Sequence, residues 1–480
     1  MRLNRPIVRL YGLVVVLFAV LIGFTSRWAV FEASSLRTSE LNVRALLQQE
    51  RIDRGLILAA NGAVLAHSVR GDEGTYSRSY PRGSEFTAPV GYSFVERGQV
   101  GLELYRNAAL DGETGGSVHS ILDQLQGRKP QGNTVVTTLQ PAAQQTAITA
   151  LGEHEGAVVA LEPRTGAVEV MASTPSYNAN LAASRRSYAR IARAPGAPLI
   201  NRAVQYGYAP GSTFKVVTAT AAIDTGQFTP ESTLSGRNEL LVSGFPLKND
   251  DNESFGEITL TEAMAHSVNT VYAQVAERLG KQTMARYMRR FGFDHKPRLD
   301  YPAKEMSASG EYLNGRLIAP TSTYVDVGRM GIGQDKLEVT PLQMAQVAAA
   351  VANHGTLMVP HLTSAIVEPD GHVLQRIAPK VQSVVMKRST AASVTGMMEA
   401  VVYSPGATGA SAQIPGVRVA GKTGTAETQI GTAINNVWFI AFAPAQNPTV
   451  AVAVTLKGVP GQGATFAAPV AKQVMEALLK

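Results

Sequence analysis

Ser212 and Lys215 have the residue types and the spacing of a serine nucleophile and its base. They stand in the segment Pro210-Gly211-Ser212-Thr213-Phe214-Lys215, which precedes an apolar run. A Pro-Gly turn before such a run predicts that Ser212 begins a buried helix, with Lys215 one turn below on the same face. A serine hydroxyl needs a base, and a lysine can serve when burial and nearby positive charge lower its pKa. A capping serine beside a surface lysine has the same spacing, so the pattern alone is weak.

A second serine is followed two positions later by an asparagine, in Ser267-Val268-Asn269. The capping box Thr259-Leu-Thr-Glu262 predicts a helix that begins there, contains both residues and ends near Gly280. Polar side chains inside a helix are costly unless something uses or satisfies them. Hydrogen bonding from the helix to the core is the alternative, and Ser176-Tyr177-Asn178 has the same pattern.

Lys422-Thr423-Gly424-Thr425 lies on a predicted strand, with glycine where a substrate backbone could approach closely. The overlapping segment from Gly416 to Thr423 matches the phosphate-binding P-loop pattern letter for letter. That interpretation fails on context, because a P-loop must feed a helix within a parallel sheet. Here the residues before Lys422 are strand-like, and more loop follows.

In this order, S-x-x-K, S-x-N and K-T-G are typical of penicillin-binding proteins and serine β-lactamases. From about residue 54 to 480 the chain resembles the class B penicillin-binding proteins, and in size and in lacking added C-terminal repeats it is most similar to actinobacterial members. The further segments that carry this resemblance are Asn201-Arg202-Ala203, Tyr208 to Lys215, Gly331-Ile-Gly-Gln334, Thr340 to Ala345, Lys422 to Glu427 and Trp438-Phe439.

The resemblance implies a catalytic role for five of these side chains, Lys422 among them. Ser212 would attack the carbonyl of a D-Ala-D-Ala stem peptide, and Lys215 would take its proton. Ser267 would relay a proton to the departing D-alanine, and Asn269 would hold the peptide amide and help order Lys215. An amine from a neighbouring stem peptide would then resolve the acyl-enzyme and form a cross-link. β-Lactam antibiotics would acylate the same serine.

The resemblance also implies how the substrate is bound. Lys422 would lower the pKa of Lys215 and attract the terminal carboxylate of the substrate, assisted by the hydroxyls of Thr423 and Thr425. Gly424 completes this substrate-binding strand. The backbone N–H groups of Ser212 and Thr425 would form the oxyanion hole.

Two other functions remain open on these residues. Water could resolve the same acyl-enzyme, which would make the chain a D,D-carboxypeptidase or a β-lactamase-like hydrolase. A non-catalytic division scaffold or β-lactam sensor could also keep the fold. A membrane anchor and a long N-terminal region favour a wall-building transpeptidase in septal or elongation synthesis, because a scavenging hydrolase needs neither.

The elements that must position these residues begin with an apolar N-terminal segment. Residues 10–28 are predicted to be a single transmembrane anchor after a cytoplasmic tail of residues 1–9, because three arginines precede the segment and one lies at its end. The rest of the chain would then lie outside the cell membrane. A cleaved signal peptide is the alternative, but no small-x-small cleavage site directly follows the apolar run.

We predict a β-rich, non-catalytic pedestal over residues 29–133. Asn61-Gly62 between apolar runs predicts a hairpin, and residues 80–83 and 111–133 are predicted loops. The segment that begins at Arg54 resembles the pedestal motif of class B proteins, with alanines at 59 and 60 where that class usually has Asp and Arg.

The transpeptidase domain is predicted over residues 134–480, with an α+β fold: an antiparallel sheet flanked by helices, plus a helical subdomain. A hairpin at 157–161 and 167–173 and later strands at 417–425, 436–443 and 449–457 predict a sheet that joins both ends of the domain. Helices are predicted from Thr340 to before Gly355 and at 466–479.

Composition excludes several functions. The chain has 480 residues and no cysteine, which rules out disulfides, thiol nucleophiles and thiolate metal sites. Its eight histidines show no metal spacing, so neither a metal nor another cofactor is predicted. Four arginines near the N-terminus account for more than half of the net charge of +7, and the remainder is too mild to indicate nucleic acid.

The predicted protein partners are a membrane glycosyltransferase and division or elongation proteins.

Overall fold

The structure is a computed structural model that describes residues 4–27, 51–112, 131–427 and 434–480. Helix α1 (Asn4–Ser26) contains an apolar segment, Val8–Thr25, that is long enough to cross a membrane and is not buried against the rest of the chain. The end of the predicted anchor at residue 28 and the residues up to 50 lie outside the described part. The one apolar N-terminal helix therefore fits a single-pass membrane anchor.

The N-terminal region after residue 50 consists of short strands and helices. They are β1 (Ile57–Leu58), β2 (Val64–Arg70), β3 (Tyr76–Ser79), α2 (Gly83–Val90), β4 (Ser93–Phe94), β5 (Gly98–Gln99), α3 (Gly101–Tyr105), α4 (Asn107–Leu110) and β6 (Thr134–Thr137). The predicted hairpin is confirmed, because β1 pairs antiparallel with β2 around Gly62, whose φ is 83°. The predicted loop at 80–83 ends where α2 begins, and most of the predicted loop at 111–133 lies outside the described residues.

A buried cluster of charged groups holds this region together. The carboxylate of Glu103 accepts hydrogen bonds from Arg54 Nε at 2.9 Å and from Arg78 Nε at 2.6 Å. Arg54 also pairs with Asp111. The two guanidinium groups lower the pKa of Glu103 against the opposing effect of burial. Arg54, the first residue of the segment that resembles the pedestal motif, is therefore a central partner in this cluster.

The remaining elements follow in chain order. They are α5 (Pro141–Leu151), β7 (Gly156–Leu161), β8 (Val168–Thr174), α6 (Arg185–Ala192), α7 (Lys215–Asp224), β9 (Thr233–Ser235), β10 (Leu240–Val242), β11 (Phe245–Leu247), β12 (Glu257–Thr259), α8 (Leu260–Ala265), α9 (Asn269–Arg290), β13 (Gly310–Leu313), β14 (Arg316–Ile318), α10 (Val327–Met330), β15 (Leu337–Glu338), α11 (Pro341–Ala352), β16 (Thr356–Met358), β17 (Thr363–Val367), β18 (Val373–Arg376), β19 (Val381–Val384), α12 (Arg388–Tyr403), β20 (Ala420–Glu427), β21 (Ile434–Ala443), β22 (Val450–Pro460) and α13 (Gly463–Leu478).

An antiparallel sheet in the order β20-β21-β22-β7-β8 forms the centre of this part. Strands β22 and β7 pair directly, with Val454 opposite Val158, so the two ends of the domain meet as predicted. Alternate residues of β7 belong to two different cores: Val158 packs with α5 and α13, whereas Val159 packs in the core that contains α7 and α11. The predicted α+β architecture with helices on both faces of the sheet is confirmed.

A second sheet, in the order β18-β17-β6-β1-β2-β3, contains strands from both sides of residue 134. Strand β6 pairs parallel with β1 and antiparallel with β17. The N-terminal region is thus hydrogen-bonded to the domain that follows. The domain boundary at residues 133 and 134 remains a prediction.

The helix predicted from Thr259 through Asn269 was wrong, although its capping box is present. Helix α8 ends at Ala265, because Ser267 adopts a left-handed conformation with φ of 59°. Its N–H bonds to Met264 O at 3.2 Å, and the N–H of Val268 bonds to Ala263 O at 2.8 Å. These two bonds form a Schellman motif, in which glycine usually holds the left-handed position. The helix resumes at Asn269, and Gly280 interrupts it again near the predicted end.

Candidate active site

Ser212 lies on a 3-10 turn, Gly211–Phe214, that leads into the buried helix α7. The turn is fixed by Gly211, whose φ is 53° and whose N–H bonds to Gly333 O at 3.0 Å. A Cβ atom at Gly211 would lie 2.5 Å from Thr425 O, so only glycine permits strand β20 to pass this close. Ser212 is 7% exposed, and its hydroxyl has no hydrogen-bond partner within the described residues.

Lys215 is the first residue of α7 and is fully buried. Its amine donates to Ser267 O at 2.5 Å, to Asn269 Oδ1 at 2.7 Å and to Ser267 Oγ at 3.3 Å. Burial lowers its pKa to about 7, and the carboxylate of Asp250 acts in the opposite direction. A substantial fraction of this amine is therefore neutral near pH 7, as a general base requires.

Lys422 enters the same site from β20, and it is also fully buried. Its amine donates to Ser267 Oγ at 2.9 Å and to Thr423 O at 3.0 Å. Burial and then the Lys215 ammonium hold the pKa of Lys422 well below its usual value. The sequence interpretation named Lys422 as the cation that lowers the pKa of Lys215. In the structure burial lowers the pKa of both amines, and the repulsion between them is mutual, so the charge on either amine disfavours protonation of the other.

The hydroxyl of Ser267 thus lies between the two amines. The left-handed backbone at Ser267 brings both its carbonyl and its hydroxyl to Lys215. A straight helix could not present both groups in this way, because its carbonyls bond along the helix axis. This arrangement joins the three patterns of the sequence into one site.

Strand β20 contacts the turn that contains Ser212 directly. A Cβ at Gly424 would lie 2.8 Å from Pro210 O and 2.9 Å from Thr213 Cγ2. Packing against the chain's own turn therefore requires glycine at this position, and the close approach of a substrate backbone remains a prediction. Thr425 Oγ1 accepts from the N–H of Gly463 at 3.4 Å.

Asp250 and Thr408 also belong to the site, and the sequence interpretation missed both. The hydroxyls of Thr408 and Thr423 are 2.7 Å apart. Asp250 Oδ1 accepts from Asn269 Nδ2 at 3.2 Å. Asp250 and Thr408 line one pocket with Ser212, and this pocket adjoins a wider cleft of about 870 Å³. No pattern in the sequence marks either residue, because both lie in irregular segments between the longer helices and strands.

The segment that matches the P-loop pattern and the residues next to the site have environments of their own. The P-loop interpretation fails, because Lys422 and Thr423 pair along β20 with Ile440 and Phe439. The ring of His266 packs against Phe255, at 5.7 Å between centroids. The side chain of Glu427 lies outside the described part, and within the described ranges no three His, Asp or Glu side chains are grouped to hold a metal ion.

Comparison with known proteins assigns the family. Residues 156–476 match the penicillin-binding protein transpeptidase domain, and residues 54–135 match the penicillin-binding protein A dimerisation domain. The chain is 34% identical to the peptidoglycan D,D-transpeptidase PbpA of Mycolicibacterium smegmatis, over 100% of this chain and 99% of that protein. It is 30% identical to the D,D-transpeptidase MrdA of Escherichia coli, over 80% of this chain and 69% of that protein.

Solved structures agree with the sequence relatives. Penicillin-binding protein A from M. tuberculosis, as a ceftriaxone acyl-enzyme complex, superposes with a TM-score of 0.81 and 32% identity, covering 90% of this chain and 100% of that one. Its imipenem acyl-enzyme complex gives a TM-score of 0.80. The resemblance to class B penicillin-binding proteins is confirmed. The chain belongs to the penicillin-binding protein transpeptidases, the serine acyltransferases that build peptidoglycan, and it is similar over its full length to the PbpA D,D-transpeptidases of mycobacteria.

Proposed function

We propose that this chain cross-links the stem peptides of peptidoglycan through an acyl-enzyme on Ser212. The observation that carries the proposal is the convergence of Ser212, Lys215, Ser267 and Lys422 in one buried site, with Ser267 Oγ 2.9 Å from Lys422 Nζ. The three sequence patterns are far apart along the chain, so only a site that uses them together explains the cost of burying two amines.

In the acylation step, the Ser212 oxygen attacks the carbonyl of the penultimate D-alanine. The Ser212 proton passes to Lys215, whose lowered pKa supports this role. As the peptide C–N bond breaks, Ser267 passes a proton to the leaving D-alanine amine and is re-protonated by an adjacent amine. At rest Lys215 donates to Ser267 and Asn269. A productive substrate must therefore bring the hydroxyl of Ser212 into hydrogen-bond reach of the neutral Lys215 amine.

Binding and charge stabilisation are assigned to the strand beside the nucleophile. The terminal carboxylate of the donor peptide is held by the hydroxyls of Thr423 and Thr425 with Lys422 behind them. The N–H groups of Ser212 and Thr425 form the oxyanion hole, and the loss of one such donor typically costs about 3 kcal/mol. The backbone of Thr425 lies close to Gly211, the residue before Ser212, and this supports the assignment of these two N–H groups to one oxyanion hole.

In the second step, an amine of a neighbouring stem peptide attacks the ester carbonyl. The ester C–O bond breaks, and the amine proton returns to Ser212 through Lys215. Water in place of the amine would give the carboxypeptidase or β-lactamase outcome. The lifetime of the penicillin adduct tests the proposal: we expect hours, whereas turnover in seconds would assign a β-lactamase. Failure to form any adduct would favour the non-catalytic scaffold alternative.

The membrane topology is part of the proposal. Arginines at 2, 5 and 9 support a cytoplasmic N-terminus, with the catalytic domain outside the membrane. Because the chain has no cysteine, single cysteines report its topology cleanly. A membrane-impermeant maleimide should label Tyr105→Cys, an exposed position, in intact cells and should not label Asn4→Cys. The reverse pattern would overturn the orientation.

We also propose that a membrane glycosyltransferase and division or elongation proteins are the protein partners. The match of residues 54–135 to the penicillin-binding protein A dimerisation domain and the anchor support contacts near the membrane. Photo-crosslinking from exposed pedestal positions such as Leu104 would test this, and the absence of any adduct with a wall-synthesis protein would oppose it.

A further inference from the structure

Asn269 makes hydrogen bonds with both ends of its amide. Its Oδ1 accepts from Lys215 Nζ at 2.7 Å, and its Nδ2 donates to Lys248 O at 3.1 Å and to Asp250 Oδ1 at 3.2 Å. If the amide were flipped, its NH2 group would face the Lys215 amine and its oxygen would face two acceptors. Because the two acceptors hold Nδ2 on their side, the amide oxygen of Asn269 is the atom that faces Lys215 Nζ.

The loop that carries Asp250 is anchored at the preceding residue. The Asn249 side chain is buried, and its Oδ1 accepts from Thr270 N at 3.0 Å and from Thr270 Oγ1 at 3.1 Å. Its Nδ2 donates to Gly236 O at 3.0 Å and to Glu253 O at 3.0 Å. Asn249 thus satisfies a free N–H in the first turn of α9, beside Asn269. The position of Asp250 relative to Asn269 is fixed by this anchor.

We propose that Asp250 is a positioning residue for the transpeptidase reaction: it orients the amide of Asn269 toward Lys215 and keeps a negative charge at the mouth of the pocket that contains two buried amines. This inference rests on the proposed function of the site. Asp250 lines the pocket with Ser212, Ser267 and Thr425, and nothing in the three sequence patterns includes it.

The charge of Asp250 acts on the amines in a defined direction. The carboxylate raises the pKa of Lys215 and of Lys422 against the effect of burial. Removing that charge should therefore let Lys215 lose its proton at a lower pH. The charged groups near this carboxylate are the amines of Lys215 and Lys422 and, around the wider cleft that Asp250 also lines, Lys248, Asp251, Arg329 and Asp335. Because Asp250 is exposed to solvent, salt should weaken its effect.

Two substitutions separate the charge from the orientation. Asp250→Asn keeps an oxygen that can accept from Asn269 Nδ2 and removes only the charge. Asp250→Ala removes both. The neighbouring Asp251 is also exposed and has the same charge, but it does not line the pocket with Ser212, so Asp251→Asn is the matched control.

The experiment measures the second-order rate of acylation by a fluorescent penicillin between pH 5 and 9, on the full chain in detergent. For Asp250→Asn we expect the acidic limb to shift to lower pH by about half a unit, with a smaller shift in 1 M salt. For Asp250→Ala we also expect a drop of about tenfold in the maximal rate, the cost of one hydrogen bond. Asp251→Asn should change neither.

Each outcome decides the inference. An unshifted acidic limb in Asp250→Asn refutes the charge effect, and equal maximal rates for the Asn and Ala variants refute the orientation effect. Thermal unfolding midpoints show that the variants are folded. If the unsubstituted chain is not acylated, then the proposed function has failed, whereas normal acylation of all variants overturns only the role of Asp250.

Discussion

The Ser267→Ala substitution tests whether the bridge between the two amines matters for acylation. It removes the oxygen that accepts from Lys422 at 2.9 Å and from Lys215 at 3.3 Å. Lys215 keeps its shorter bonds to Ser267 O and Asn269 Oδ1, so the main loss is the bond from Lys422. A hydrogen bond from an amine in a buried site is worth about 2 kcal/mol, which corresponds to about 30-fold in rate.

The assay is the second-order rate of labelling by a fluorescent penicillin, followed in the first seconds after mixing. The matched control is Ser176→Ala, because Ser176-Tyr177-Asn178 has the same pattern but its serine donates to Ser84 O outside this pocket. We expect at least about a 30-fold loss for Ser267→Ala and none for the control. A rate within threefold of the unsubstituted protein, with an unchanged unfolding midpoint, would refute the reasoning.

Three further predictions concern pH and stability. The acylation rate should rise with pH through about 7 and then level off, because Lys215 with a pKa of about 7 must be neutral to accept a proton; a flat profile from pH 5 to 9 would contradict this. Glu103→Ala should lower the free energy of unfolding in urea by about 3 to 5 kcal/mol, because it leaves the buried Arg54 and Arg78 guanidinium groups without their shared carboxylate, and a loss below about 1 kcal/mol would oppose it. Ser267→Gly should be about 1 kcal/mol more stable than Ser267→Ala in the same measurement, since only glycine adopts a left-handed conformation without cost; equal stabilities would argue against strain at this position.

Much of the fold was predictable, because its signals are local. The Asn61-Gly62 hairpin, the capping box at Thr259 and the proline-initiated helix α11 each follow from a few adjacent residues. The later strands were predicted to within a few residues, because their apolar runs are long. The pairing of β22 with β7 followed from placing strands at both ends of the domain.

The break at Ser267 could not be predicted from local preferences. Serine rarely holds a left-handed position, and the capping box at Thr259 predicts a helix that continues past it. The conformation is stabilised by contacts across the fold, since Lys215 bonds to the carbonyl that the break exposes. The sequence patterns named the residues of the site, but not the backbone that brings them together.

Asp250 illustrates a second limit. It lies 19 positions before its partner Asn269, in a loop whose position depends on the buried side chain of Asn249. The run Asn249 to Asn252 predicts only a polar turn. Such residues become visible when the hydrogen-bond partners of a known site residue are followed outward.

The most direct test of the central claim is mass spectrometry of the full chain after incubation with penicillin. The account predicts one covalent penicilloyl group on the peptide that contains Ser212, and no adduct with Ser212→Ala. An adduct on another residue, or one that survives the substitution, would contradict it.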